Sequence, residues 1–578
     1  MAISVLYWAR LDTRPQPIID EYVEKTLNLA DALEEKHFGE YPRALYWATI
    51  GPRFPLYQAM AAPFVLFVDR SADSILIVNA IFLVILGMAT YHAGKLVGGP
   101  LVGALSAVFV MTYPFVLHSA KLARPHAMLP AVCAIFFWVA LSFIRKHSVL
   151  KSWLLIASVF LIFLTHASGL YSVFPPILLL TGKFLLKDRS LLKFSMVRAN
   201  LKKNLHSRSL LLGLLPAGVL LIGFILAWMI LKWDQYVGMQ RVIEELYAPQ
   251  FGFWHIANTF PDVVSPFFAG LFVIGVVVLS VSLITSNKEQ GAIRFVMLSL
   301  ILTIVFIRTF FRGAFQWNNL VSILPLVAIV SASGLASAKT FLTTTLKSGV
   351  ASQIISFVAI LTCVAMSIIN YFVVMWGTFG MGGPIQMLGV KSDCTRYDNF
   401  CPDPPVPGEW YLKEILGKVI KDNRCKRNPC SVVVVSQRPE YFHHEAFTYT
   451  MVQYYSKETV SPSSGFYPSR TVSILPAGRG SSGNLNWLFS DFIIFLTDES
   501  NQPIRQVTPF FGAGGDIEYS NVKYILDHIN DGTFEKLIEQ RLPNGLTGVL
   551  VSRGNVPLND VNKVITEMDI SKKANRSL

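Results

Sequence analysis

The feature that most constrains this chain is a series of apolar segments beginning at Ser74, Leu101, Ala127, Ser152, Gly169, Leu210, Val264, Arg294, Leu320 and Val350. A helix needs roughly 20 mostly apolar residues to cross a ~30 Å hydrocarbon core, and each segment reaches or approaches that length. Inside a bilayer every backbone polar group must be satisfied within the protein, so such segments fold as helices. The run through Ser152 and Gly169 breaks at Thr165-His166-Ala167-Ser168, which predicts a tight reversal between two short helices. Ala2 to Ala9 is also apolar but only about 12 Å long as a helix, too short for a span or a signal peptide. It reads as the tail of a first span that begins upstream. The expected fold class is a polytopic α-helical membrane protein of about ten or eleven transmembrane helices.

Charge gives the orientation. The chain of 578 residues is 52% hydrophobic and 15% charged, with a formal net charge of +13. Its basic residues cluster in short loops between apolar runs, which argues against nucleic acid as a partner. One set of loops carries Lys95; Arg145, Lys146 and Lys151; eight basic residues from Lys183 to Arg208; Lys288 and Arg294; Lys339 and Lys347. The intervening loops carry far fewer basic residues, among them Lys121 and Arg124, Arg241 and Arg312. The positive-inside rule places the first set in the cytoplasm. The second set, the region from Asp12 to Arg70 and everything after Met375 are then outside.

The domain boundary falls at that last span, giving a membrane domain over 1–375 and an extracytoplasmic α/β domain over 376–578. Pro402, Pro404, Pro405 and Pro407 mark the entry. Cys133 and Cys363 lie in apolar spans, whereas Cys394, Cys401, Cys425 and Cys430 all follow the last one. An even set in a small extramembrane domain predicts two disulfides in an oxidising compartment, with the pairing open. Neither pair has CxxC spacing, which disfavours zinc. Expected helices are 409–422, 441–455, 522–530, 533–541 and 558–568; expected strands are 431–435, 471–475, 492–496 and 548–552. Apolar runs alternating with helical patterns predict a partly parallel sheet.

Polar chemistry collects in the outside loops. Arg308 is the main ionisable residue within a span, unlike a transporter with its site at the midplane. The first loop holds Asp20-Glu21-Tyr22, an amphipathic stretch to His37 predicted to lie on the membrane surface, and Arg53-Phe54-Pro55-Leu56-Tyr57. The second holds Leu122-Ala123-Arg124-Pro125-His126, and a later one Phe311-Arg312. Arginine recognises phosphate with a planar fork of donors, and a carboxylate beside it can act as a general base.

At these residues the chain resembles the GT-C glycosyltransferases, in particular the branch of bacterial aminoarabinose transferases and protein O-mannosyltransferases. That branch carries an Asp-Glu pair in the first outside loop, then a Lys-Pro-Pro-Leu-Tyr-like segment, then an Arg-Pro-Asp-like segment before the fourth span. The order and spacing match over roughly the first 185 residues. The resemblance implies transfer of a sugar from a polyprenyl-phosphate carrier to an extracytoplasmic acceptor (a lipid, glycan or protein hydroxyl), with inversion, at a plasma, inner or endoplasmic reticulum membrane. It implies Asp20 as general base with Glu21 in support. Arg53, Arg124 and Arg312 are implied on the donor phosphate, and Tyr57, His126 and His166 in substrate positioning. Two positions depart from the family: His126 stands for its acid, and His166 for a lysine. No metal ligand is therefore assigned, and a divalent cation stays an open question.

Plainer readings stand beside these. Asp20-Glu21 fits the start of any surface helix, where acids favour the N-terminal dipole. Arg43 and Arg53 fit interfacial anchors. His126 and His166 fit polar packing at a membrane-edge bend. His443-His444-Glu445 and Gly512-Ala513-Gly514-Gly515 lack the context of a metal or nucleotide site. A lipid or polysaccharide transporter and a non-catalytic scaffold are the alternative functions.

Overall fold

The computed structural model describes residues 1–12, 21–34, 44–46, 48–49, 54–146, 148–166, 169–185, 215–235, 237, 260–285, 291–310, 321–345, 349–376, 408, 410–422, 425, 430–435, 447, 450–451, 453–455, 472–476, 490–504, 522–529, 531–543 and 545–553. Packing divides the chain into two units. One gathers Met1–Ala9, Tyr41–Asp69 and Asp73–Pro404; the other gathers Arg10–Glu40, Arg70–Ala72 and Pro405–Leu578.

The first unit is helical. Ala2–Leu11 (α1) and Leu56–Phe67 (α3) are short apolar helices. The expected segments form Ala72–Gly98 (α4), Pro100–Thr112 (α5) continued by Pro114–Ala120 (α6), Met128–Arg145 (α7), Val149–Thr165 (α8), Leu170–Leu185 (α9), Leu215–Leu231 (α10), Pro266–Thr285 (α11), Gly291–Phe310 (α12), Leu324–Thr345 (α13) and Gly349–Trp376 (α14). Among the described residues five helices are long and apolar enough to cross a membrane. A sixth span results if α5 and α6, bent by 59°, count as one. The bend falls at Tyr113, whose extended backbone (ψ 132°) precedes Pro114 as the residue before a proline favours. The chain is thus a polytopic α-helical membrane protein.

Its outer surface is what lipid requires. Val273, Val277 and Val281 are exposed at i, i+4 spacing on α11, and Ile354, Val358 and Leu361 at i, i+4, i+7 spacing on α14. Such apolar ridges belong against hydrocarbon. Hydroxyls inside the spans bond back to the preceding turn, as Ser106 to the carbonyl of Val102 and Ser331 to that of Val327. Helices α11 and α13 cross at Gly275 and Gly334. A Cβ on Gly275 would come within 2.8 Å of the Val330 carbonyl oxygen, so the two backbones touch where side chains are absent.

The second unit holds Glu21–Glu34 (α2), Leu412–Lys421 (α15), a helical segment at 522–527 and a five-stranded sheet. The strands are Cys430–Val434 (β1), Val472–Pro476 (β2), Phe492–Thr497 (β3), Phe534–Arg541 (β4) and Thr547–Arg553 (β5), in the order β2-β1-β3-β5-β4. β1 pairs in parallel with β2 and β3, whereas β5 pairs antiparallel with β3 and β4. Central strands β1 and β3 are apolar on both faces, as a covered sheet demands. Val432, Val434 and Ile494 pack with Leu416, Val419 and Phe447 on one face; Val433, Ile493 and Val551 pack with Val522 and Ile525 on the other. Asp491 Oδ2 accepts from the backbone N–H of Ser431 at 2.8 Å and fixes the register of β1 beside β3. Cys425 and Cys430 form a disulfide; Cys394 and Cys401 lie outside the described residues.

Two expectations fail, at β4 and at the apolar face of α2. Residues 533–541, expected as a helix, form edge strand β4. Phe534, Leu537 and Ile538 mimic helical i, i+3, i+4 spacing because a β-bulge between Lys536 and Ile538 breaks the strand alternation. Exposed Glu535, Lys536, Glu539 and Arg541 charge that edge, which discourages pairing with another chain. Gly545 (φ 83°) supplies the left-handed turn leading into β5. Helix α2 forms as expected, but its apolar residues Tyr22, Val23, Leu27 and Ala30 are buried by protein rather than turned outward. The expected helix at 558–568, His443-His444-Glu445 and Gly512–Gly515 lie outside the described residues.

Candidate active site

Tyr57 starts the chain of contacts. It lies in the first turn of α3, is fully buried, and its hydroxyl donates to Asn79 Oδ1 at 3.0 Å. Asn79 is fully buried in the first third of α4. Its amide donates to the carbonyls of Ala120 at 3.1 Å and Leu122 at 2.6 Å. Ala120 ends α6 and Leu122 lies two residues beyond it, where a helix leaves its last carbonyls without intrahelical partners. The Leu122 carbonyl also accepts from the Arg124 N–H at 2.7 Å, whereas for the Ala120 carbonyl Asn79 supplies a donor whose loss would cost about 1–3 kcal/mol. The segments carrying Phe54-Pro55-Leu56-Tyr57 and Leu122-Ala123-Arg124-Pro125-His126 are thereby joined through one side chain.

The joined loop is rich in buried nitrogen. Lys121 is fully buried; its ammonium donates to the Val374 carbonyl at 3.0 Å and stands 4.8 Å over the Trp8 ring. That pins the loop to the end of α14. His118, Arg124 and His126 are buried beside it in sequence, and the His126 and His166 rings lie 6.0 Å apart. Burial strengthens the field that a cation projects, because water screens it less. A loop so built can bind an anion and hold it through developing negative charge.

A second cation backs the other motif segment. Phe54 lies 4.9 Å from Trp228 and 6.0 Å from Phe224 of α10. Lys232 follows α10 directly and is buried, its ammonium 3.6 Å from the centroid of Tyr46 and 5.8 Å from that of Trp228. It also donates to Thr49 Oγ1 at 3.0 Å. Cation–π contact and a hydrogen bond are what a desolvated ammonium needs.

The expected residues fare differently. Tyr57 has a defined bond, Arg124 and His126 share the loop that Asn79 holds, and His166 neighbours His126. Glu21 opens α2, and its side chain lies outside the description, as do Asp20, Arg53 and Arg312. Sequence reasoning missed Asn79 and Lys232 and gave Lys121 no role beyond topology. The available signals were a lone amide amid apolar residues and a lysine between Trp228 and Trp233. Among the described residues no group of three or more His, Cys, Asp or Glu side chains is arranged to hold a metal.

No protein-family model matches the chain, and no curated protein matches it in sequence. Solved structures do resemble it. ArnT from Cupriavidus metallidurans in the apo state is 12% identical with a TM-score of 0.50, over 94% of this chain and 96% of that one. The archaeal oligosaccharyltransferase AglB from Archaeoglobus fulgidus, in complex with an inhibitory peptide and a dolichol-phosphate, is 10% identical with a TM-score of 0.51, over 96% of this chain and 75% of that one. At this identity the likeness is one of fold, and it extends over nearly the whole chain: the protein has the GT-C fold.

Proposed function

We propose that the protein is an integral-membrane glycosyltransferase that moves a sugar from a polyprenyl-phosphate carrier to a hydroxyl of an extracytoplasmic acceptor. A fold alone does not name a reaction. The observation that carries the reading is the Tyr57–Asn79–Leu122 connection, which unites two motif segments that sequence alone could only align. AglB, which shares the fold, was solved with a dolichol-phosphate, a lipid of the proposed class.

In this reading the acceptor oxygen attacks the anomeric carbon from the face opposite the phosphate. The bond from that carbon to the phosphate oxygen breaks, and the polyprenyl phosphate leaves with the electron pair. Asp20 takes the acceptor proton, and Glu21 orients the acceptor. Arg53, Arg124 and Arg312 stabilise the leaving phosphate, where cationic donors count most as charge develops. Tyr57, His126 and His166 hold the substrate pocket. The loop charges support an outside location for these residues and for the α/β domain, which serves as an accessory domain for the acceptor.

A second reading, a non-catalytic relative, rests on His126 standing where the family's acid falls. One experiment separates the two. Purified protein in lipid is given labelled polyprenyl-phosphate sugars and crude envelope material, alongside Asp20→Asn. Transfer with one donor, lost in the folded variant, supports both the class and the base. Transfer untouched by the substitution discards the base, and no transfer from any donor favours the non-catalytic reading.

A further inference from the structure

Arg70 stands between two parts of the second unit that are far apart in sequence. Its guanidinium makes a two-point ion pair with Asp31 of α2: Nη2 donates to Oδ2 at 2.8 Å, and Nη1 contacts Oδ1. Glu34, one turn on, adds a carboxylate 3.9 Å from Nη1. Burial works against the charge of this arginine, but the bond to Asp31 and the two carboxylates outweigh it and raise its pKa. The backbone of the same residue faces the other way: the Arg70 carbonyl accepts from Gln453 Nε2 at 2.8 Å. Gln453 belongs to the C-terminal region, beside Met451 and Tyr455, which pack with the sheet core.

We infer that Arg70 is a positioning residue through which the C-terminal α/β domain holds α2, the helix that Glu21 opens and that Asp20 directly precedes in sequence. This rests on the proposed role of Asp20. It refines the accessory role: the domain serves the acceptor step by carrying the acceptor-activating carboxylates, and it is not merely a cover. Several observations agree. Residues 10–40, 70–72 and 405–578 form one packing unit, separate from the unit that contains Arg124. The pair is bidentate, the geometry in which an arginine–carboxylate pair fixes orientation as well as distance. Each side chain of the pair keeps 30% of its exposure, so water and salt weaken it without abolishing it.

The test uses the full chain in lipid nanodiscs. Hydrogen exchange over residues 21–34 is compared for wild type, Arg70→Met, Gln453→Ala and the swap Asp31→Arg with Arg70→Asp. Losing the pair should quicken exchange in α2 about fivefold, with no change over Met128–Arg145, and the swap should restore much of the protection. Transfer is read on the same samples with the labelled donor panel and envelope material. Arg70→Met should lower transfer at saturating donor and leave the donor KM unchanged, because donor contacts lie in the other unit. The swap should recover activity, which a generally loosened fold would not. Unchanged exchange in α2 for both Arg70→Met and Gln453→Ala overturns the inference. Quickened exchange with full transfer in both Arg70→Met and Asp20→Asn leaves the mechanical link standing and removes the base instead.

Discussion

Tyr57 and Asn79 are joined at 3.0 Å by a hydrogen bond buried within the helical unit, and the Asn79 amide in turn carries the loop that leads to Arg124. Asn79→Leu would take from the Ala120 carbonyl its side-chain donor and from the Tyr57 hydroxyl its Asn79 acceptor, while the Leu122 carbonyl keeps the Arg124 N–H at 2.7 Å. The expected loss is about 1–3 kcal/mol for the Ala120 carbonyl, less where the lipid-embedded unfolded state finds partners. Tyr57→Phe removes one donor and should cost about 1 kcal/mol. Thermal unfolding in lipid and sugar transfer, measured together, should rank wild type above Tyr57→Phe and Tyr57→Phe above Asn79→Leu. Equal stability for all three would show that the network does not hold the loop.

How much of this was legible in the sequence depends on the kind of signal. Ten apolar segments predicted helices, and each has one, because run length alone determines that a segment buries its own backbone. Strands β1 and β3 were equally plain, as continuous apolar runs. Strand β4 was not: its bulge made a two-residue period look like a helical one. At the site, Tyr57, Arg124, His126 and His166 stood out by type and by motif. Asn79 and Lys232 did not, because their roles come from carbonyls and rings that only the fold brings near. The likeness to a known family supplied the proposed roles of Asp20, Arg53 and Arg312, and periodicity supplied none of them.

Gly334 and Gly275 make a sharp test of the helix packing. A Cβ on Gly334 would collide with the Gly275 Cα, which is backbone and cannot rotate away. Gly334→Val should push α11 from α13 and cost about 1–3 kcal/mol or more. Gly218 meets nothing within 4 Å, so Gly218→Ala should be neutral or slightly stabilising. Melting temperatures in one detergent or lipid would decide, and equal tolerance at the two sites would contradict the close crossing.

Lys232 holds the segment before the Arg53–Tyr57 motif by charge rather than by shape. Lys232→Met keeps the length of the stem but removes the ammonium from the Tyr46 ring and from Thr49. A desolvated cation–π contact is worth about 1–2 kcal/mol, so exchange at residues 44–49 should quicken roughly five- to thirtyfold. Transfer should fall with it, since Phe54 shares the Trp228 surface. Unaltered exchange would mean that aromatic packing alone seats the segment.

Acid should loosen the β4–β5 edge before the centre of the sheet. The pKa of Asp531 is lowered by its hydrogen bonds to Thr533, and that of Glu539 by its hydrogen bond to Lys536. Lys536 Nζ donates to Glu539 Oε2 at 2.6 Å, and Thr533 N–H to Asp531 Oδ1 at 2.9 Å. A carboxylate whose folded pKa lies below its unfolded value adds stability that is fully present above the unfolded value and is lost as pH falls through the folded one. The loss should therefore begin near pH ~4.5, where free carboxylates start to protonate, and grow below it. Both carboxylates are largely open to water, so the change is local fraying rather than global unfolding. Exchange over 531–541, followed in the full chain from roughly pH 6 to pH 3 and corrected for intrinsic rates, should lose protection before residues 492–497 do. Asp531→Asn with Glu539→Gln should flatten that dependence, since neither amide titrates. A pH response that persists in the double variant would assign the acid sensitivity to other groups.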